Sequence, residues 1–119
     1  MRACLFVGLG GFAGAVCRYL LSSLVPAAKG FPMGTLLVNF IGAVAIGMIA
    51  VFSQRLSISP RLILFFKTGV CGGFTTFSTF SLETAELFQN HRPAVGTLYT
   101  VVSVLLCLAG VLLCRIYNH

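Results

Sequence analysis

Charged residues in this chain punctuate long apolar runs. No charge occurs within residues 3–17, 30–54, 68–82 or 93–114. A helix that crosses a bilayer needs roughly 20 mostly apolar residues. Two of the runs reach that length outright. The other two reach it when Arg18 and Lys67 lie near helix ends or face the protein interior, as long basic side chains can. The pattern therefore predicts four helices. The first covers about residues 3–25 and stops at Pro26, before a connection that ends at Pro32. The second covers about 33–53 and closes in a polar loop through Ser59 and Pro60. The third covers about 61–89 with a break around 72–76, and the fourth about 93–117, with Pro93 in a first-turn position. The expected fold class is an all-α membrane protein, a single transmembrane domain of four helices with a break in the third.

The break is the most informative feature. Within residues 69–81 the chain places Gly72 and Gly73 before the hydroxyls of Thr75, Thr76, Ser78, Thr79 and Ser81, interleaved with Phe74, Phe77 and Phe80. Lipid offers no water to backbone groups. A glycine-broken helix at membrane depth persists only when it is buried in protein or lines a polar cavity. The rim of a benzene ring carries partial positive charge and can face an anion. This stretch thus reads as a permeation or binding element for a small ion.

Composition supports the membrane reading. Of 119 residues 58% are hydrophobic and 8% charged, with mean hydropathy +1.02, whereas soluble domains carry about 25% charged residues. The formal net charge of +6 comes from basic residues scattered over connections and helix ends, with no patch suited to nucleic acid or lipid headgroups. Its role is topological. Arg2, Arg55, Arg61 and Arg115 fall on one side of a four-span topology, and Arg18, Lys29 and Arg92 on the other. So even a count permits insertion both ways up, hence an antiparallel, dual-topology homodimer, against a single orientation fixed by other features. Small residues four apart (Gly10/Gly14, Gly11/Ala15, Ala43/Gly47, Gly69/Gly73) allow close helix approach, within a subunit or between subunits. The apolar run beyond Ala13-Gly14-Ala15 favours a retained first span over a cleaved signal. Cys4, Cys17, Cys71, Cys107 and Cys114 lack metal-site spacing and read as small apolar residues.

Several polar residues carry two readings. Arg18-Tyr19 is an interface anchor or the electropositive vestibule of an anion path. Asn39, with Thr35 one turn earlier, cross-links helices or donates its amide hydrogens to a permeating anion. Phe77 and Phe80 share a helical face, one too polar for lipid. Glu83 extends that face as a proton carrier, a pore-mouth gate or a structural acceptor; Glu86 falls at the helix end. Tyr99, Ser103 and Cys107 repeat every four residues as a polar stripe, donating to an anion or to helix carbonyls. Gly8-Leu9-Gly10-Gly11-Phe12-Ala13 matches a dinucleotide fingerprint but lacks the preceding strand and the following acid. No catalytic set exists, His91 and His119 lying in a loop and a tail, so no enzyme is expected.

Three motifs in order, Gly10-Gly11 to Arg18-Tyr19, Gly34-Thr35 to Asn39 and Gly42, and Gly72-Gly73 through Thr75, Thr76, Phe77 and Phe80 to Ser81, resemble the CrcB/Fluc family of fluoride channels. The resemblance implies a dual-topology antiparallel homodimer in the cell inner membrane, with two pores that both subunits build. It implies that Phe77 and Phe80 meet fluoride with their ring edges. Asn39 would be the pore asparagine, and Thr79, Tyr99 and Ser103 the adjoining polar track. Glu83 takes the acidic position beyond the phenylalanines, and Arg18 the vestibule. It also implies a structural sodium ion at the dimer centre, held by main-chain carbonyls at Gly72 and Thr75 of each subunit. Cys107 departs from the hydroxyl that often continues the track. Two other classes stand beside this reading. A small proton-coupled multidrug exporter needs a glutamate in the first span, and none is there. A non-transporting membrane subunit would use the polar third helix for docking.

Overall fold

In the computed structural model, which describes residues 1–117, every element is helical apart from one short bridge between Ala28 and Phe31. His119 lies outside the described residues. Helix α1 spans Arg2–Leu24, α2 Met33–Arg55 and α6 Pro93–Ile116. Each is long and apolar enough to cross a membrane, since 23 residues rise about 35 Å. Between α2 and α6 lie α3 (Pro60–Ile63), a π-helical stretch (Leu64–Cys71), α4 (Gly72–Phe74) and α5 (Phe77–Gln89). The first three run on without a turn, because Leu64 and Gly72 both keep right-handed helical dihedrals.

Bare backbone joins α1 to this composite helix. A Cβ at Gly14 would lie 2.9 Å from Phe74 N, and one at Gly10 would lie 2.9 Å from Gly69 Cα. The pairs Gly10/Gly14 and Gly69/Gly73 therefore serve packing within one subunit, which lets the two helix axes approach to backbone contact. On the other side α2 packs along α6, where a Cβ at Gly47 would lie 3.1 Å from Cys114 Cβ and Cys114 Sγ donates to the Val44 carbonyl at 3.6 Å.

A small aromatic core closes one end. Leu36, Phe80, Leu87 and Tyr99 are buried together, with Phe31, Val95 and Val102 against them. The Tyr99 ring meets Phe31 edge-on at 5.4 Å and Phe80 at 5.2 Å, and Phe77 continues the line 5.5 Å beyond Phe80. At the same end Arg92 Nη2 donates to the Lys29 carbonyl at 2.6 Å, tying the α1–α2 connection to the α5–α6 turn. Lys29 and Gly30 have φ of 52° and 83°, a left-handed pair that turns the chain back for the Ala28–Phe31 bridge.

Candidate functional site

The site grows from two threonines. Thr75 (φ −81°, ψ 155°) and Thr76 (φ −149°, ψ 115°) are extended, with helix on both sides. Extended backbone in an apolar segment leaves polar groups that must be paired. Asn39 of α2 pairs them. Its Nδ2 donates to the Thr76 carbonyl at 3.0 Å, and its Oδ1 accepts from the Thr76 N–H at 2.7 Å. The Thr76 hydroxyl then caps α5, accepting from the Thr79 N–H at 3.2 Å and donating to Thr79 Oγ1 at 3.1 Å, with Ser78 Oγ 3.2 Å away.

These detours take the usual helical donor away from two carbonyls. An unbroken helix would send the Thr76 N–H to the Gly72 carbonyl and the Thr79 N–H to the Thr75 carbonyl. Both donors are engaged elsewhere. Gly72 is exposed, and a Cβ on it would meet nothing within 4 Å. The pair is a hard-oxygen donor set of the type that binds alkali cations through main-chain carbonyls.

Glu83 is held from two helices. Thr35 Oγ1 donates to its Oε1 at 2.8 Å and Tyr99 OH to its Oε2 at 2.7 Å. Of its three sequence readings, the geometry directly supplies the acceptor. Glu86 is exposed.

Two cavities flank Thr76, and both include it in their walls. The larger, about 290 Å³, is lined by Asn39, Thr75, Thr76, Phe77, Phe80, Ser103 and Cys107 with apolar residues of α2 and Val104. The smaller, about 170 Å³, is lined by Arg18, Tyr19, Ser22, Thr35, Thr76 and Thr79. Phe80 is 8% exposed and Phe77 is 79% exposed, so the two rings of one face stand in opposite surroundings within a single chain. Ser103 is 5% exposed, and its Oγ has no hydrogen-bond partner among the described residues.

The expected residues thus divide into groups. Asn39, Phe77, Phe80 and Ser103 meet around the first cavity, and Arg18 and Thr79 around the second. Tyr99 and Glu83 line neither; they pair with each other where Tyr99 sits in the aromatic core. Gly72 lies on the open surface. Sequence reasoning placed Thr76 in the polar stretch but gave no role of its own to this residue common to both cavities. Its signal was a threonine placed as N-cap immediately before a restarting helix.

Residues 5–115 match the family described as CrcB-like protein, Camphor Resistance (CrcB). Among curated relatives, a fluoride-specific ion channel FluC from Ruminiclostridium cellulolyticum is 46% identical over 112 residues, covering 90% of this chain and 85% of the relative. One of the same name from Methanococcus aeolicus is 40% identical over 118 residues, covering 99% and 96%. A third, from Methanopyrus kandleri, is 46% identical over 107 residues, covering 89% and 81%.

Proposed function

The chain belongs to the CrcB family, and on that premise we propose that it is a fluoride channel, a multi-pass protein of the cell inner membrane that lets cytoplasmic fluoride leave passively. Its relatives are named ion channels, so no enzymatic step is involved. The observation that carries the site assignment is the larger cavity, where two phenylalanine rings, an amide and a serine hydroxyl without a partner among the described residues meet around the break.

Fluoride is small and tightly hydrated. A passage must replace its water shell with donors yet bind it weakly enough to release it. Ring edges, hydroxyls and an amide N–H do so without the deep well of a fixed cation. Asn39 keeps one amide hydrogen after serving the Thr76 carbonyl, since a carboxamide carries two. Arg18 draws anions toward the smaller cavity, Thr76 and Thr79 pass them on, and Asn39, Phe77, Phe80 and Ser103 receive them. Tyr99 holds the Glu83 carboxylate beside this path as its acidic border. Hydrogen fluoride enters cells uncharged and ionises inside; a passive conduit then returns the anion outward, aided by an inside-negative potential.

The working unit in this reading is an antiparallel homodimer with two pores. Near-balanced basic residues favour it, as does Phe77, a pore ring that one chain leaves open and a second would cover. The third span is then the broken unit of α3, the π-helical stretch, α4 and α5. The Gly72 and Thr75 carbonyls of each protomer would hold a structural sodium ion between them, which would supply a fixed positive charge that ties the two breaks together.

The test is fluoride efflux from liposomes carrying the purified protein, with chloride as control. Rapid fluoride efflux that Phe80→Ile abolishes, without comparable chloride efflux, is the expected result. Equal chloride flux, or flux that requires a proton gradient, overturns the reading. Cross-linking should yield antiparallel pairs, and uniformly parallel pairs would refute the dimer.

A further inference from the structure

Ser103 and Cys107 lie one turn apart on α6 and line the same cavity of about 290 Å³. Ser103 is nine-tenths buried, and its oxygen has no hydrogen-bond partner among the described residues, so a polar group facing this space is left for something that enters it. Cys107 is half-buried beside it and makes neither a disulfide nor a hydrogen bond among the described residues. The other cysteines differ. Cys4 and Cys17 are exposed on α1, Cys71 is buried, and Cys114 Sγ donates to the Val44 carbonyl. None of these four lines the cavity.

A thiol here changes what the cavity can hold. A hydroxyl at this position would be a hard donor suited to an anion's hydration shell. Sulfur is soft and polarisable, and as thiolate it selects soft cations such as Cu(I). The neighbouring Ser103 oxygen lies one turn away on the same face and has a free lone pair to complete a low-coordinate site.

We propose that Cys107, with Ser103 beside it, is a binding site for a soft monovalent metal cation inside the anion conduit, and that a cation bound there stops fluoride passage. The inference rests on the channel reading given above. Binding forms one sulfur–metal bond as the thiol gives its proton to water, with no change of oxidation state. The cation then occupies the space between Phe80 and the α6 stripe. Ser103 no longer has a vacant side to offer the anion.

Silver ion is the probe. Fluoride efflux from liposomes is followed with a fluoride electrode in a chloride-free nitrate medium, with and without Ag⁺ at concentrations equimolar to the protein. The expected result is loss of efflux on adding silver and its return when excess dithiothreitol strips the metal. A Cys4→Ser/Cys17→Ser variant, altered only at exposed thiols, should lose efflux to silver as the parent does. Cys107→Ser, measured against its own silver-free rate, should keep its efflux in silver. Block that persists in Cys107→Ser overturns the proposal, as does parent protein that conducts unaffected. Should Cys107→Ser pass no fluoride, alkylation of the parent read by peptide mass decides: silver must protect Cys107, and an unprotected Cys107 refutes the site. Absence of fluoride efflux from untreated parent protein would instead sink the channel reading, so the two failures are separable.

Discussion

The two flanks of the third helix are built on opposite principles. Toward α1 it presents backbone to backbone, with Gly10 and Gly14 set against Gly69, Val70 and Phe74. Toward α2 and α6 it is joined by side-chain hydrogen bonds: Asn39 to the Thr76 backbone, and Thr35 and Tyr99 to the Glu83 carboxylate. The glycine seam has no space. The polar seam has a cavity on each side of Thr76. Lipid is as apolar as leucine, so burying apolar area drives little association in a membrane, and close contact and hydrogen bonds must do the work. One seam takes the first solution and holds Gly69, Val70 and Phe74 against α1. The other takes the second and leaves donors for an ion. Rigidity on one flank lets the other remain hollow.

Widening the glycine seam is the most severe way to break this comparison. Gly14→Val puts a side chain where Phe74 N and the Val70 carbonyl carbon lie 2.9 and 3.0 Å from even a Cβ. Backbone cannot swing aside as a side chain does. The expected cost is at or above the roughly 3 kcal/mol upper end of ordinary overpacking. Size-exclusion chromatography after detergent extraction should show little monodisperse protein. Gly8→Ala is the control, because a Cβ at Gly8 meets nothing within 4 Å, and it should behave as the parent.

Cutting the polar seam at its centre comes next. Asn39→Leu removes the acceptor of the Thr76 N–H and a donor to its carbonyl. Leaving a buried backbone group unpaired costs about 1–3 kcal/mol. The melting temperature in detergent should fall clearly, and fluoride efflux with it. Asn39→Asp sharpens the point, since a carboxylate accepts from the Thr76 N–H but cannot donate to its carbonyl. It should recover part of the stability and none of the donation to an anion. Full recovery of efflux in Asn39→Asp would mean that the amide hydrogens play no part.

How much of this could be read from the chain follows the same division. The helices were legible, because runs free of charge and long enough to span leave few alternatives; the observed ends of α1, α2 and α6 lie within two residues of the expected ones. The glycine pairs were legible as packing elements, though spacing alone does not say which helices they join. The polar seam was legible in its members, not in their pairing. Thr35 and Asn39 were expected to share a face, yet Thr35 bonds Glu83 and Asn39 bonds Thr76. Those pairings depend on how α2 is rotated against α5, a tertiary fact that periodicity does not encode. Tyr99 was grouped with Ser103 by a four-residue repeat, but the bulk of its ring carries its hydroxyl to Glu83, away from the cavity. The role of Thr76 was hidden for a similar reason. In a run of hydroxyls, any of them can be the cap.

A gentler break removes one donor to Glu83 at a time. Tyr99→Phe and Thr35→Val each delete one hydroxyl and nearly preserve shape. Interhelical hydrogen bonds in membranes are worth about 0.6 kcal/mol on average and at most about 1.7. Each variant should shift unfolding by an amount of that order. Because both hydroxyls serve one carboxylate, the double variant should be non-additive. Strict additivity would show that the two bonds act independently and that Glu83 is not a shared hub.

The smallest structural effect is expected at Ser103, and it separates the two seams most cleanly. The hydroxyls of Thr35, Thr76 and Tyr99 each hold something in place. The Ser103 oxygen is buried against the cavity with no hydrogen-bond partner among the described residues. Ser103→Ala therefore removes no hydrogen bond from the folded chain and relieves an unpaired polar group, so stability should stay within about 0.5 kcal/mol of the parent or rise. If the hydroxyl is there to replace water around fluoride, efflux should nonetheless fall. A thermal melt and a fluoride efflux trace on the same preparation test both halves. A stable variant with slowed efflux places Ser103 on the path of the ion. A variant that loses stability and efflux together would instead make Ser103 one more structural bond, and the polar seam would differ from the glycine seam in chemistry alone.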